Sequence, residues 1–395
     1  MDAPAPSPSR PHRHTAHDSG RSRPPRNRAA RLLELLARPV RRTATEGPIV
    51  LQPFRGYGTT ERVFLIGRVL RQADWGRQLD AGLRRDAVDV LRRASRRAVG
   101  GLPVEVEFLG ARTTVKTDAD GYFRIAMAPG HPPDPDHRWH PMTIRLTRPV
   151  ALEARAAVFV TPRTARRAVI SDIDDTVVHT GVANKIKMFW HLFGQDADRR
   201  VPFPGVGALY RALHHGPEGT AEPGAPGAGG EANPLLFVSR APWGIYDVLT
   251  AFFETLGIPG PLLFLREWGI RLSNPLPRRA EDHKRVLIEH MLEVIGERPV
   301  VLIGDSGQRD PEVYARVVQD FPGRIAAVFI RDLDRDAERS AAIRAMAEQV
   351  EAAGAELVLA TDSLQMAERA HAFGLISAEA VEAVRRAMAE EAGDA

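Results

Sequence analysis

The 395-residue chain contains no cysteine. A disulfide framework, a thiolate zinc site and a cysteine nucleophile are therefore excluded. No apolar run approaches the roughly 20 residues that a membrane helix needs. The N-terminus is basic, but no apolar stretch follows it to make a secretory signal. Acids are scarce in residues 1–42, where arginine, proline and histidine prevail. Such a stretch buries too little apolar surface to fold. It reads first as a solvated tail; attraction to an anionic membrane surface or to nucleic acid is the other reading. The missing cysteine also suits a reducing cytosol.

What is present is an ordinary globular composition, 44% hydrophobic with a net charge of +4. The length asks for two domains plus tails. Residues 1–46 read as a largely disordered tail holding one short leucine-rich helix, 29–38, stopped by Pro39. Residues 47–165 read as a β-rich domain. Short segments at 49–51, 62–70, 104–108, 113–115, 122–125, 142–146 and 156–160 are rich in β-branched or aromatic residues and bounded by turn residues. Residues 86–97 read as a helical insert. The spacing predicts a small β-sandwich. Asp118 and Asp120, in Asp-Ala-Asp-Gly, favour a structural turn over a calcium loop.

From residue 166 the pattern changes. Apolar runs at 168–170, 235–238, 262–265, 300–303, 325–330 and 356–359 alternate with helical patterns at 244–256, 283–295 and 311–320. Alternation with fully apolar strands predicts a parallel sheet with helices on both faces. This α/β domain is expected over 166–375, with a C-terminal helix at 376–395. Residues 216–232 form a Gly/Pro/Ala-rich loop.

In such sheets ligands sit at the carboxyl ends of the strands. This chain places Asp172, Asp174 and Asp175 after the first strand, Ser239 and Arg240 after the second, and Arg266, Glu267 and Trp268 after the third. Asp305, Ser306 and Asp310 follow the fourth, and Lys284 opens the helix before it. Converging carboxylates either share protons or bind a cation. Oxygen ligands favour a hard ion such as magnesium. An ionised aspartate can attack phosphorus, a second carboxylate can handle the leaving-group proton, and a hydroxyl and an ammonium can hold phosphoryl oxygens. Each residue also has a plainer use: Ser239 as a helix cap, Lys284 on the surface, Asp305 in a tight turn, Asp310 as an N-cap before Pro311.

The run Asp172-Ile173-Asp174-Asp175-Thr176 resembles the first motif of the haloacid dehalogenase superfamily. Ser239, Lys284 and Gly304-Asp305-Ser306-Gly307-Gln308-Arg309-Asp310 resemble its second, third and fourth. With Thr180-Gly181, Phe203-Pro204-Gly205-Val206, Val238-Ser239-Arg240-Ala241-Pro242-Trp243 and Asp310-Pro311-Glu312, the chain is similar to the actin-patch-associated phosphatidate phosphatase family over about 165–335. Gln52-Pro53-Phe54-Arg55-Gly56-Tyr57-Gly58-Thr59 resembles that family's N-terminal region more loosely. The resemblance implies a haloacid-dehalogenase-like sheet with a minimal cap, and Mg2+-dependent hydrolysis of phosphatidate to diacylglycerol and phosphate.

The same resemblance implies the residue roles. Asp172 is nucleophile and metal ligand, and Asp174 is general acid/base with its backbone carbonyl on the metal. Ser239 and Lys284 bind phosphate, and Asp305 and Asp310 complete the metal site. Arg240 stands where the family often has a small polar residue, and adds phosphate affinity or alters the substrate. The implied partner is a phospholipid at a membrane surface, for a cytoplasmic protein peripheral to that surface. The aromatic, basic segment 184–193 is either a lipid-facing lid or part of the core. Other readings stay open: a phosphomonoesterase acting on a nucleic-acid end or phosphoprotein, or a phosphatase-like binding protein without activity.

Overall fold

A computed structural model describes residues 46–73, 97–174, 176–177, 203–219, 230–243, 246–266, 280–333 and 336–393. Outside them lie the tail with its 29–38 helix, nearly all of the 86–97 helix, Asp175, Thr180-Gly181, segment 184–193, Glu267 and Trp268. The side chains of Arg240 and Arg266 also lie outside. Residues 45–395 form one compact unit.

Among the described residues, nine strands make the first sheet: β1 (Glu46–Pro53), β2 (Gly56–Gly58), β3 (Val63–Ala73), β4 (Arg97–Ala98), β5 (Pro103–Phe108), β6 (Ala111–Lys116), β7 (Tyr122–Met127), β8 (Trp139–Leu146) and β9 (Leu152–Val160). The path runs β1-β3-β2-β9-β8-β5-β6, and β4 and β7 also pair with β3. Side chains alternate as a one-sided sheet requires: β8 buries His140, Met142, Ile144 and Leu146. Leu65, Val106, Phe108, Phe123, Ile144 and Val158 meet in one core. All nine strands are therefore linked by hydrogen bonds into one continuously paired sheet. The 11-residue β3 causes this, because it pairs along both edges. The short strands β2 and β4 carry too few residues for a sequence pattern.

The Asp118 loop is a turn. Asp118 Oδ1 accepts from the backbone N–H of Asp120 and Tyr122, and Oδ2 meets Arg124 at 2.9 Å. These bonds use the carboxylate that calcium would need, so the turn reading holds.

The second sheet has the six parallel strands expected: β10 (Ala168–Asp172), β11 (Leu235–Pro242), β12 (Leu262–Arg266), β13 (Val300–Asp305), β14 (Ile325–Arg331) and β15 (Glu356–Ala360). Their order is β12-β11-β10-β13-β14-β15. Every residue of β10 and β13 is buried, as the uninterrupted apolar runs require. Helices α1 (Val206–His215), α2 (Tyr246–Thr255), α6 (Ser363–Ala372) and α7 (Ala378–Gly393) pack on one face with Val169, Phe237, Ile303 and Phe329. Helices α3 (Ala280–Ile295), α4 (Asp310–Asp320) and α5 (Ala337–Ala352) pack on the other with Ile170, Val238, Leu302 and Val328.

The segment after β1 joins the two sheets. Phe54 stacks on Trp243 with ring centroids 4.4 Å apart. Tyr57 packs edge-on to Phe264 and its hydroxyl lies 2.8 Å from His290 Nε2. The Arg55 backbone N–H donates to Tyr246 Oη at 3.0 Å, and its guanidinium pairs with Glu254.

Candidate active site

The strand order reverses at β10, so a crevice opens at the carboxyl ends of β10 and β13. Those ends carry Asp172 and Asp305, which are 2% and 0% exposed. Ser239 lies at the equivalent level of β11. Lys284 comes from the N-terminal part of α3 and Asp310 opens α4. Parallel strands thus deliver side chains far apart in sequence to one edge.

Lys284 Nζ lies 3.1 Å from Asp172 Oδ1 and donates a short hydrogen bond to Asp310 Oδ1. Asp310 Oδ2 accepts from the Asp305 backbone N–H at 3.3 Å. Ser239 Oγ donates to Asp174 Oδ2 at 3.4 Å and accepts from the Ala241 N–H at 3.1 Å. The six residues Asp172, Asp174, Ser239, Lys284, Asp305 and Asp310 are therefore gathered at one place. All six are buried.

One lysine faces several buried acids. Burial pushes the Asp172 carboxyl well above the usual carboxylate range; Lys284 opposes that shift, and Asp310, Asp174 and Asp305 add to it. Burial would lower the pKa of Lys284, but Asp172 and Asp310 outweigh it and hold the ammonium protonated. Carboxylate oxygens of Asp172, Asp305 and Asp310 all lie within 4.8 Å of one another. Such a set calls for a cation or a shared proton.

Gln308 marks where oxygen acceptors that could hold a cation converge. Its Nε2 lies 2.9 Å from Asp172 Oδ2, 3.0 Å from Asp305 Oδ2 and 3.3 Å from the Asp174 carbonyl oxygen. Three oxygen acceptors on separate residues thus converge on one donor. That donor set suits a hard cation such as magnesium. In the sequence Gln308 is one residue of the Gly304–Asp310 motif, and nothing local marks this role.

Other supporting residues were also missed. Arg339, on α5, donates to the backbone carbonyls of Ser306 and Gln308 at 3.1 and 2.9 Å. It also forks onto both oxygens of Glu312. The guanidinium thereby pins the 305–312 loop. Arg331, 2% exposed, lies over the Phe203 ring at 4.0 Å and donates to Ser363 Oγ. Ser171 Oγ bonds Tyr210 Oη at 2.6 Å behind Asp172. Long-range partners of this kind leave no mark in local sequence.

Two plainer uses are resolved. The N-cap of α4 is Arg309, and the Asp310 carboxylate faces Asp305 and Lys284 instead of capping. Asp305 does shape its turn, because Oδ1 accepts the Gln308 N–H at 2.9 Å. Gly304 is required by close approach: a Cβ there would stand 2.5 Å from Asp310 Oδ2.

Residues 167–332 match the family model described as the catalytic domain of phosphatidate phosphatase APP1. The chain is 29% identical over 163 residues to phosphatidate phosphatase APP1 of Saccharomyces cerevisiae, covering 41% of this chain and 25% of that protein. It is 32% identical over 171 residues to an uncharacterized protein of Schizosaccharomyces pombe, covering 43% and 26%. It therefore spans about a quarter of the length of these curated relatives. The crystal structure of a carbohydrate acetylesterase from Xanthomonas citri aligns at 12% identity over 85% of this chain and 71% of that one. Its TM-score of 0.27 carries no argument about fold or function. The six gathered residues of this crevice all lie within residues 167–332, the segment similar to the catalytic domain of phosphatidate phosphatase APP1.

Proposed function

We propose that this chain is a magnesium-dependent phosphatase that hydrolyses phosphatidate to diacylglycerol and phosphate through an aspartyl-phosphate on Asp172. The observation that carries the reading is the buried Asp172 carboxylate, 3.1 Å from Lys284 and two residues before Asp174, inside a segment matching a phosphatidate phosphatase catalytic domain. The haloacid-dehalogenase-like motifs in the same order support it.

Asp172, Asp305 and the Asp174 carbonyl would hold magnesium, with Asp310 orienting the set. The ion supplies charge neutralisation for the phosphoryl oxygens. Asp172 attacks phosphorus as the bond to the glycerol oxygen breaks. Asp174 gives its proton to that oxygen, releasing diacylglycerol. Asp174 then takes a proton from water, which attacks the aspartyl-phosphate, frees inorganic phosphate and restores Asp172. Ser239 and Lys284 hold the phosphoryl oxygens as charge shifts between them. Lys284 also holds Asp172 and Asp310 in register, so one ammonium links nucleophile and metal site.

Among the described residues no helix is long and apolar enough to cross a membrane. A phosphatidate substrate resides in a membrane surface, and the reading includes a cytoplasmic protein peripheral to that surface. The test is phosphate release by purified protein, with magnesium, from phosphatidate vesicles, a 5′-phosphorylated oligonucleotide and a phosphopeptide. The reading expects release from phosphatidate above the other two and its loss on chelation. Turnover of only the oligonucleotide or phosphopeptide would replace the substrate assignment.

A further inference from the structure

Between the two sheets, along the outer edge of β12, lies a cavity of about 200 Å³ that is open at its mouth. Phe64 and Ala126 line it from the nine-stranded sheet, and Trp243, Leu265 and Leu287 from the α/β side, with His290 beside them. The lining is almost wholly apolar. Water gains little in such a space, whereas hydrocarbon is stabilised there.

The cavity adjoins the crevice described above. Leu265 is the register partner of Ser239, so the two are about 5 Å apart across one strand spacing. Asp172 pairs next to Val238 on the far side of β11, about 10 Å from β12. Leu287 follows Lys284 by three residues on α3, which puts both on one helix face. Trp243 follows Ser239 by four residues. Its indole Nε1 is buried with no hydrogen-bond partner among the described residues. Residues suited to a phosphoryl group and residues lining an apolar space therefore share β11, the β12 edge and α3.

Resting on the phosphatase reading, we propose that this cavity receives an acyl chain of the phosphate-ester substrate. The anionic phosphate stays with Ser239 and Lys284, and the glycerol unit spans the strand or two between. The unspent Trp243 N–H is a donor for the ester carbonyl where the chain begins. The enzyme thus reads its lipid by chain as well as by headgroup.

The test uses the full chain and n-alkylphosphonates from butyl to decyl, which carry headgroup and chain and cannot be hydrolysed at an ester. Affinities are measured by calorimetry with magnesium for wild type, Ala126→Trp and Leu287→Trp, which fill the cavity from its two walls. Ala126 is exposed on β7, so that variant leaves the packed core alone. Wild type is expected to bind roughly fourfold tighter per added methylene until the cavity is full. Both variants should flatten that dependence, while binding of methylphosphonate and turnover of p-nitrophenyl phosphate stay as in wild type. No chain-length dependence in wild type, or an equal dependence in all three proteins, would overturn the proposal. If the dependence flattened as expected but no phosphate ester were turned over, the phosphatase reading would fail and the chain site would stand.

Discussion

The Gln308 side-chain amide donates to Asp172 Oδ2 at 2.9 Å, at the same point where it meets Asp305 Oδ2 and the Asp174 carbonyl. One glutamine thus offsets part of the mutual repulsion of these acids, at the place where the proposed magnesium would sit. Gln308→Ala removes a donor to charged groups, each worth about 1.5–3 kcal/mol. Without metal, the variant should melt below wild type. With magnesium, it should gain more stability than wild type does, since no amide competes. Thermal melts across a magnesium titration measure both. Equal magnesium-induced shifts in the two proteins would show that Gln308 does not occupy the cation position.

Lys284 bridges Asp172 and Asp310 in a buried setting. Lys284→Met leaves both carboxylates without their cation. Breaking a buried pair in this way costs about 3–5 kcal/mol. Urea unfolding at neutral pH without metal should show a loss of that size. A loss under about 1 kcal/mol would place the pair among weakly coupled surface charges instead.

Arg339 holds the 305–312 loop, which carries the proposed magnesium ligands, through a planar fork. Lysine cannot reproduce the fork onto Glu312 together with the Gln308 carbonyl. Arg339→Lys should lower kcat by about tenfold while KM changes little, the usual effect of losing a support behind a metal site. A raised KM with unchanged kcat would assign Arg339 to substrate binding.

His214 sets a pH dependence remote from the crevice. Burial, reinforced by His215, pushes its imidazole down to about 4 from 6.5. Its Nδ1 meets the Asn233 carbonyl at 2.7 Å. The folded state therefore binds fewer protons than the unfolded state between those values. Stability from this group is full above about 6.5 and falls as the pH drops towards about 4, by about 3 kcal/mol in total. His214→Gln should flatten the fall of unfolding free energy over that window. An unchanged slope would assign the acid sensitivity to other groups, such as His215.

The central sheet was legible because its strands are apolar without interruption. Val300 to Ile303 could be nothing but a strand buried on both faces. The site was legible because Asp172, Ser239 and Asp305 each end such a strand. In the nine-stranded sheet the seven longer strands were legible and the short β2 and β4 were not; β3 also pairs on both edges, and pairing is not written in a strand's own residues. Gln308, Arg339 and Arg331 were given no role for the same reason. A glutamine in a turn and two arginines near strand or helix ends look like solvated surface until the fold sets them against Asp172, Glu312 and Phe203. Phe54 and Tyr57 lie in the Gln52–Thr59 motif, yet only the packing shows that this segment joins the two sheets.

The most direct test of the account is phosphate release from phosphatidate by wild type and by Asp172→Asn, with magnesium and with both proteins shown folded by circular dichroism. The account predicts steady release by wild type and a loss of about 10³-fold or more in the variant. An Asp172→Asn protein that released phosphate at the wild-type rate would contradict it.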